Sequence, residues 1–211
     1  GPLPPMVAAA CILQAARGLA YVHAPGVLHR DVKPANLLLS TDDKQAVVKL
    51  LDLGIAWIRD AAPSTTAQES EARLTRNDRI MGTVNYMAPA QALEIRSADH
   101  RADIYSLGCS FYFLVAGREI YARDTVLKQL VAHRESPIPE LPGASVPLNS
   151  VLQRMVAKDP DARFQSMTEV IAALEACGVT DAMAAGALDL SAVEEPHETS
   201  SQSSVSVSLT G

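Results

Sequence analysis

The sequence predicts a predominantly helical domain with a few short β-strands near its start. Apolar residues recur at helical spacing through most of the chain. Two brief apolar runs, Leu37-Leu38-Leu39 and Val47-Val48-Lys49-Leu50-Leu51, instead read as strands, separated by the turn residues Ser40 to Asp43. At 211 residues and 48% apolar content, the chain can close one domain around a sizeable core.

Taken in order, Met6 to His23 places Ile12, Ala16, Leu19 and Ala20 on one side of a helix of about five turns. Ala24-Pro25-Gly26 ends it, and Val27-Leu28 reads as a short strand. After the two strand runs, residues 60–79 are polar and rich in Ser, Thr and Ala, a loop long enough to be functional or disordered. Asp103 to Ala116 is apolar nearly all round, which predicts a helix buried in the middle of the domain with Gly117 as its C-cap. Shorter helices are expected near Thr125–His133, Leu148–Ala157 and Ser166–Ala176, the first two separated by the Pro- and Gly-rich stretch Pro137 to Pro147. From Gly178 to Gly211 no helical order beyond one turn is expected, and the serine-rich stretch Thr199 to Ser204 reads as disordered.

Composition narrows the function. A net charge of −6 and a pI near 5.3 argue against a nucleic-acid surface. Three cysteines, Cys11, Cys109 and Cys177, form no CxxC pair and read as small buried side chains in a reducing compartment. No apolar run reaches the ~18–20 residues of a membrane span. The start, Gly1-Pro2-Leu3-Pro4-Pro5, lacks the basic and apolar regions of a signal peptide. A cytoplasmic location is expected, with any membrane tether outside this chain.

Five short motifs carry chemistry. The first is His29-Arg30-Asp31-Val32-Lys33-Pro34-Ala35-Asn36. Phosphoryl transfer to a hydroxyl needs a carboxylate to orient the nucleophile and take its proton, and an oxygen ligand for Mg²⁺; Asp31 and Asn36 have that spacing. Lys33 suits the charge that develops on the transferring group. The second, Leu50-Leu51-Asp52-Leu53-Gly54, puts a carboxylate after a strand, sixteen residues beyond Asn36. The others are Met81-Gly82-Thr83-Val84-Asn85-Tyr86-Met87-Ala88-Pro89-Ala90, Asp103-Ile104-Tyr105-Ser106-Leu107-Gly108 and Lys158-Asp159-Pro160-Asp161-Ala162-Arg163-Phe164.

In this order the motifs resemble the catalytic domain of serine/threonine protein kinases, of the eukaryotic-like type found in bacteria, over about residues 1–177. The resemblance implies an α+β fold: the C-terminal lobe of a kinase, mostly helical, with short strands at the catalytic cleft and the N-terminal lobe absent. Residues 178–211 would form a flexible tail. It implies ATP-dependent phosphorylation of Ser or Thr on a protein substrate. Asp31, Lys33 and Thr83 would be catalytic. Lys33, Asn36, Leu38 and Asp52 would hold ATP, with Leu38 as the floor under adenine. Asn36 and Asp52 would ligate Mg²⁺. Asp103 would hydrogen-bond the His29–Arg30 turn, and His29 would stack on Leu53.

The chain also departs from the family. No GxGxxG loop or strand-borne Lys precedes His29, so the isolated chain is expected to bind Mg-ATP only weakly, with Kd above ~1 mM. Leu53 stands where the family has Phe. Ala90 stands where it has a Glu that pairs with the Arg at position 163; Glu94, one turn on, is a substitute. The alternative reading is a kinase-derived interaction module without catalysis.

Overall fold

The computed structural model describes residues 1–42, 45–52, 82, 84–89, 91, 99–191 and 206–208. Expectations resting on Leu53, Thr83, Ala90, Glu94 or the loop 60–79 lie outside these residues.

Helix α1, Pro5–His23, runs through the centre. Pro5 suits its first turn, where a backbone N–H has no helical partner. Nine of its residues, from Ala8 to Leu19, are buried, and six of them are Ala or Cys, which lets neighbours approach closely. The helix is 19 residues long with mean hydropathy 1.4, so by length and composition it could cross a membrane, contrary to the sequence expectation. Its apolarity has a local cause: it packs against the sheet and against four other helical segments.

The strands β1, Leu37–Asp42, and β2, Gln45–Leu50, form an antiparallel hairpin in the register Leu37↔Leu50 to Asp42↔Gln45. β1 thus continues through Ser40, Thr41 and Asp42, which the sequence suggested as a turn. Gln14 of α1 closes part of the outer edge of β2: its Nε2 donates to the Ala46 carbonyl at 3.0 Å and its Oε1 accepts from the Val48 N–H at 2.8 Å. Val27–Leu28 carries no regular structure, because no described strand lies beside it to complete a ladder.

Helix α2, His100–Ala116, is buried from Ala102 to Val115 apart from Phe113, as its all-round apolarity predicts. Asp99 caps it by accepting from the Arg101 N–H at 2.9 Å, and Gly117 ends it at φ 65°. Its buried serine hydroxyls are satisfied within the helix, Ser106 and Ser110 each donating to the carbonyl four residues back. A Cβ at Gly108 would stand 2.6 Å from Val156 Cγ1 and 2.9 Å from Met155 Cβ, so a side chain there would push α2 off its neighbour.

Helices α3, Val126–Glu135, α4, Val146–Met155, and α5, Met167–Ala176, match the three expected positions to within about two residues. Beyond Gly178 the chain corrects the expectation of a single turn. A 3₁₀ turn at Asp181–Ala184 leads into helix α6, Ala185–Ser191. The segment is fastened to α1: Arg17 pairs with both Glu175 and Asp181, and Gln14 Nε2 reaches the Asp181 carbonyl at 3.3 Å. A last short strand, β3, Ser206–Ser208, pairs antiparallel with β1 and gives the sheet order β2-β1-β3.

Candidate active site

The site forms where the turn after α1, the foot of the β1–β2 hairpin and the first turn of α2 meet. Asp103 organises it. Its carboxylate accepts the His29 N–H at 2.9 Å and the Arg30 N–H at 2.8 Å, one on each oxygen, and the Oδ2 atom also lies 2.8 Å from His23 Nε2. The Asp103 side chain is only 2% exposed, so these partners replace the water it has lost. This is the contact expected of Asp103 from the sequence.

Arg30 adopts φ 64°, a left-handed conformation that a residue with a Cβ enters at a cost of about 1–2 kcal/mol. The two N–H bonds to Asp103 and the bond from Gln91 Nε2 to the Arg30 carbonyl, 3.2 Å, hold it there.

Asp31 is then gripped from two sides. Lys33 Nζ stands 2.8 Å from Oδ2 and 3.0 Å from Oδ1. Asn36 Nδ2 donates to Asp31 Oδ2 at 3.0 Å and to the Asp31 carbonyl at 2.8 Å. Asn36 is placed by the 3₁₀ turn Pro34–Asn36, in which its N–H reaches the Lys33 carbonyl at 2.9 Å. With the amide nitrogen committed to Asp31, the Asn36 carboxamide oxygen remains available to a hard cation.

Asp52 reaches the same place by way of the hairpin. The ladder extends one step past Leu37↔Leu50, with the Leu51 N–H donating to the Asn36 carbonyl at 2.9 Å. The Leu51 carbonyl accepts from His29 Nε2 at 3.1 Å. Leu51 is therefore tied to both ends of the His29–Asn36 loop, and Asp52 projects from the next position, exposed and at φ 49°. Of the fifteen residues between Asn36 and Asp52, twelve form the two hairpin strands. Arg30 and Asp52 are the two non-glycine residues with positive φ among those described, and both belong to this site. Such outliers persist where the surroundings over-determine them.

Among the described residues no three His, Cys, Asp or Glu side chains converge as a metal cage. A carboxylate and a carboxamide oxygen fit Mg²⁺, which keeps several waters and takes one or two protein oxygens with substrate phosphates. Leu38 is half-buried in β1, opposite Lys49.

The sequence profile of the protein kinase domain matches residues 1–173. The chain belongs to the protein kinase family. The kinase relatives include the serine/threonine-protein kinase PknB of Mycobacterium leprae, 37% identical over 178 residues, covering 82% of this chain and 26% of the relative. The serine/threonine-protein kinase PknE of Mycobacterium tuberculosis is 38% identical over 184 residues, covering 85% of this chain and 30% of its own length. The chain thus spans less than a third of either relative.

Three participants were not apparent in the sequence. His23 supports Asp103 and meets the His100 ring edge-on at 5.9 Å. Its one signal was a polar side chain closing an apolar helix. Gln91, buried, holds the Arg30 carbonyl. Leu51 acts through its backbone, which no residue type announces. At the base of the kinase fold, Arg163 is 1% exposed and is satisfied by carbonyls rather than by a carboxylate: Ala157 at 2.7 Å, Lys158 at 3.0 Å and Arg101 at 3.1 Å. Its guanidinium also lies 4.8 Å from the centre of the Tyr105 ring.

Proposed function

We propose that this chain is the catalytic and substrate-binding half of a serine/threonine protein kinase, the C-terminal lobe, and that it transfers the γ-phosphoryl group of ATP to a protein hydroxyl. The observation that carries the reading is the grip on Asp31. A carboxylate held by Lys33 and Asn36, and presented by a strained, fully bonded turn, is poised to orient a hydroxyl and accept its proton. As the acceptor oxygen bonds to phosphorus, the bond from phosphorus to the β–γ bridging oxygen breaks and ADP leaves. Asp31 carries the hydroxyl proton away.

Asn36 and Asp52 would hold Mg²⁺, which neutralises phosphate charge when bound. Lys33 faces both Asp31 and the developing charge on the transferring group. In this reading Leu38 would form the floor under the base, and the Thr83 hydroxyl would bridge Asp31 and Lys33. Lys33, two residues after Asp31, and Thr83 favour Ser/Thr over Tyr acceptors. A roof over the nucleotide would require a second lobe that carries a glycine-rich loop and a lysine. A cytoplasmic site of action fits an ATP-dependent reaction.

The test is label transfer from γ-labelled ATP by the full-length protein to paired peptides that differ only in Ser, Thr or Tyr at the acceptor. Transfer to Ser and Thr, dependent on Mg²⁺, is expected. Transfer to Tyr alone, or transfer unaffected by Asp52→Asn, would overturn the assignment.

A further inference from the structure

Strand β1 has two edges. β2 covers one, and the other would be left with unpaired N–H and C=O groups, an open template for another extended chain. In this molecule that edge is taken by Ser206–Ser208, with Leu38 opposite Ser208, Leu39 opposite Val207 and Ser40 opposite Ser206. The composition of the tail pointed to disorder, yet Ser204-Val205-Ser206-Val207-Ser208-Leu209 alternates serine with an apolar residue at every step. A period of two is the strand signature.

The contact is short: three paired residues are fewer than a self-sufficient strand uses.

Its place gives the contact a consequence. Leu38 is two residues from Asn36, at the end of the hairpin where Asp52 also emerges. We propose that residues 206–208 form a strap in cis that pairs with the outer edge of β1 and competes with a nucleotide base seated on Leu38. The competition rests on the kinase reading; the pairing does not. The strap makes β1 an acceptor for one extended segment at a time, and the occupant built into the chain is its own serine-rich end.

The experiment compares the full chain, the Val207→Pro variant and a chain ending at Ser191. Proline removes a backbone donor and is poorly tolerated in a paired strand. Amide hydrogen exchange at Leu39, whose N–H faces the strap while those of Leu38 and Ser40 face β2, should be at least ~10-fold faster in both altered chains. A peptide of residues 199–211 added to the shortened chain should restore the protection. Mg-ADP, followed through the Leu38 amide resonance, should bind the altered chains about tenfold more tightly, as expected for a strap closed ~90% of the time. Equal exchange in all three chains would overturn the strap. Faster exchange with equal Mg-ADP affinity would overturn the competition. Faster exchange with no Mg-ADP binding to any chain at millimolar ligand would keep the strap and overturn the competition, while the kinase reading stands or falls on the label-transfer assay of the full-length protein.

Discussion

Replacing Asp103 tests the framework that holds the candidate catalytic loop. Asp103→Leu preserves approximate size but removes acceptors for the His29 and Arg30 N–H groups and for His23. Each buried donor left without a partner costs about 1–3 kcal/mol, so the two backbone groups alone amount to ~2–6 kcal/mol. Removing a desolvated carboxylate returns part of this, which leaves a net loss of about 3 kcal/mol. Asp103→Asn should cost less, ~1–2 kcal/mol, because its carbonyl oxygen still serves one N–H while its NH₂ opposes the other. Without both bonds, the left-handed Arg30 has little to hold it, so residues 29–31 should exchange their amides well before the helices do. Urea denaturation followed by circular dichroism gives the first quantity, and hydrogen exchange the second. A loss under ~0.5 kcal/mol for the Leu variant, with unchanged exchange at residues 29–31, would refute the assignment of Asp103 as the anchor.

Other expectations follow from the base of the domain and from the loop outside the described residues. Burial, helped by the nearby Lys158 charge, pushes the His133 imidazole down to about 3. The unfolded chain therefore takes up a proton below about pH 6.5 that the folded chain refuses, and stability should fall with pH between about 6.5 and 3, by up to ~1.4 kcal/mol per unit. His133→Gln should remove that part of the slope in urea titrations, and an unchanged slope would show that His133 titrates normally. Ala90→Glu should stabilise the domain by no more than ~1–2 kcal/mol and only when Arg163 is present, because Arg163 already has three carbonyl partners. Zero coupling with Arg163→Met in a double-mutant cycle would mean that residue 90 does not reach Arg163. Active full-length protein should carry phosphate on at least one of Thr65, Thr66, Ser70 and Thr75, where Arg30 could engage it; mass spectrometry finding none would reject regulation through this loop.

The fold was legible wherever local pattern and burial agree. Asp103 to Ala116 is apolar on every side because every side is covered, and the two apolar runs pair because each is too short to be anything but a strand. The spacing from Asp31 to Asn36 pointed to one phosphoryl-transfer loop, and the structure brings the two side chains within 3.0 Å. What escaped was set by tertiary partners. Val27–Leu28 has strand-like residues but no described neighbour to pair with. Residues 181–191 are helical because Arg17 and Gln14 of α1 anchor their start, a contact more than 160 residues distant in the chain. The third strand hides in a serine-rich stretch whose composition masks its alternation. The loss of a carboxylate at position 90 suggested an unpaired Arg163, yet backbone carbonyls satisfy the cation, and backbone positions are the part of a site that residue identity conveys least.

The central claim is that Asp31 is the group that orients and deprotonates the acceptor hydroxyl, and steady-state phosphoryl transfer by full-length protein carrying Asp31→Asn tests it most directly. Asparagine keeps the size of the side chain and can still hydrogen-bond, but it cannot accept the proton. The account predicts a fall in kcat of at least ~100-fold with the KM for ATP nearly unchanged. Turnover within a few-fold of the unaltered protein would contradict it.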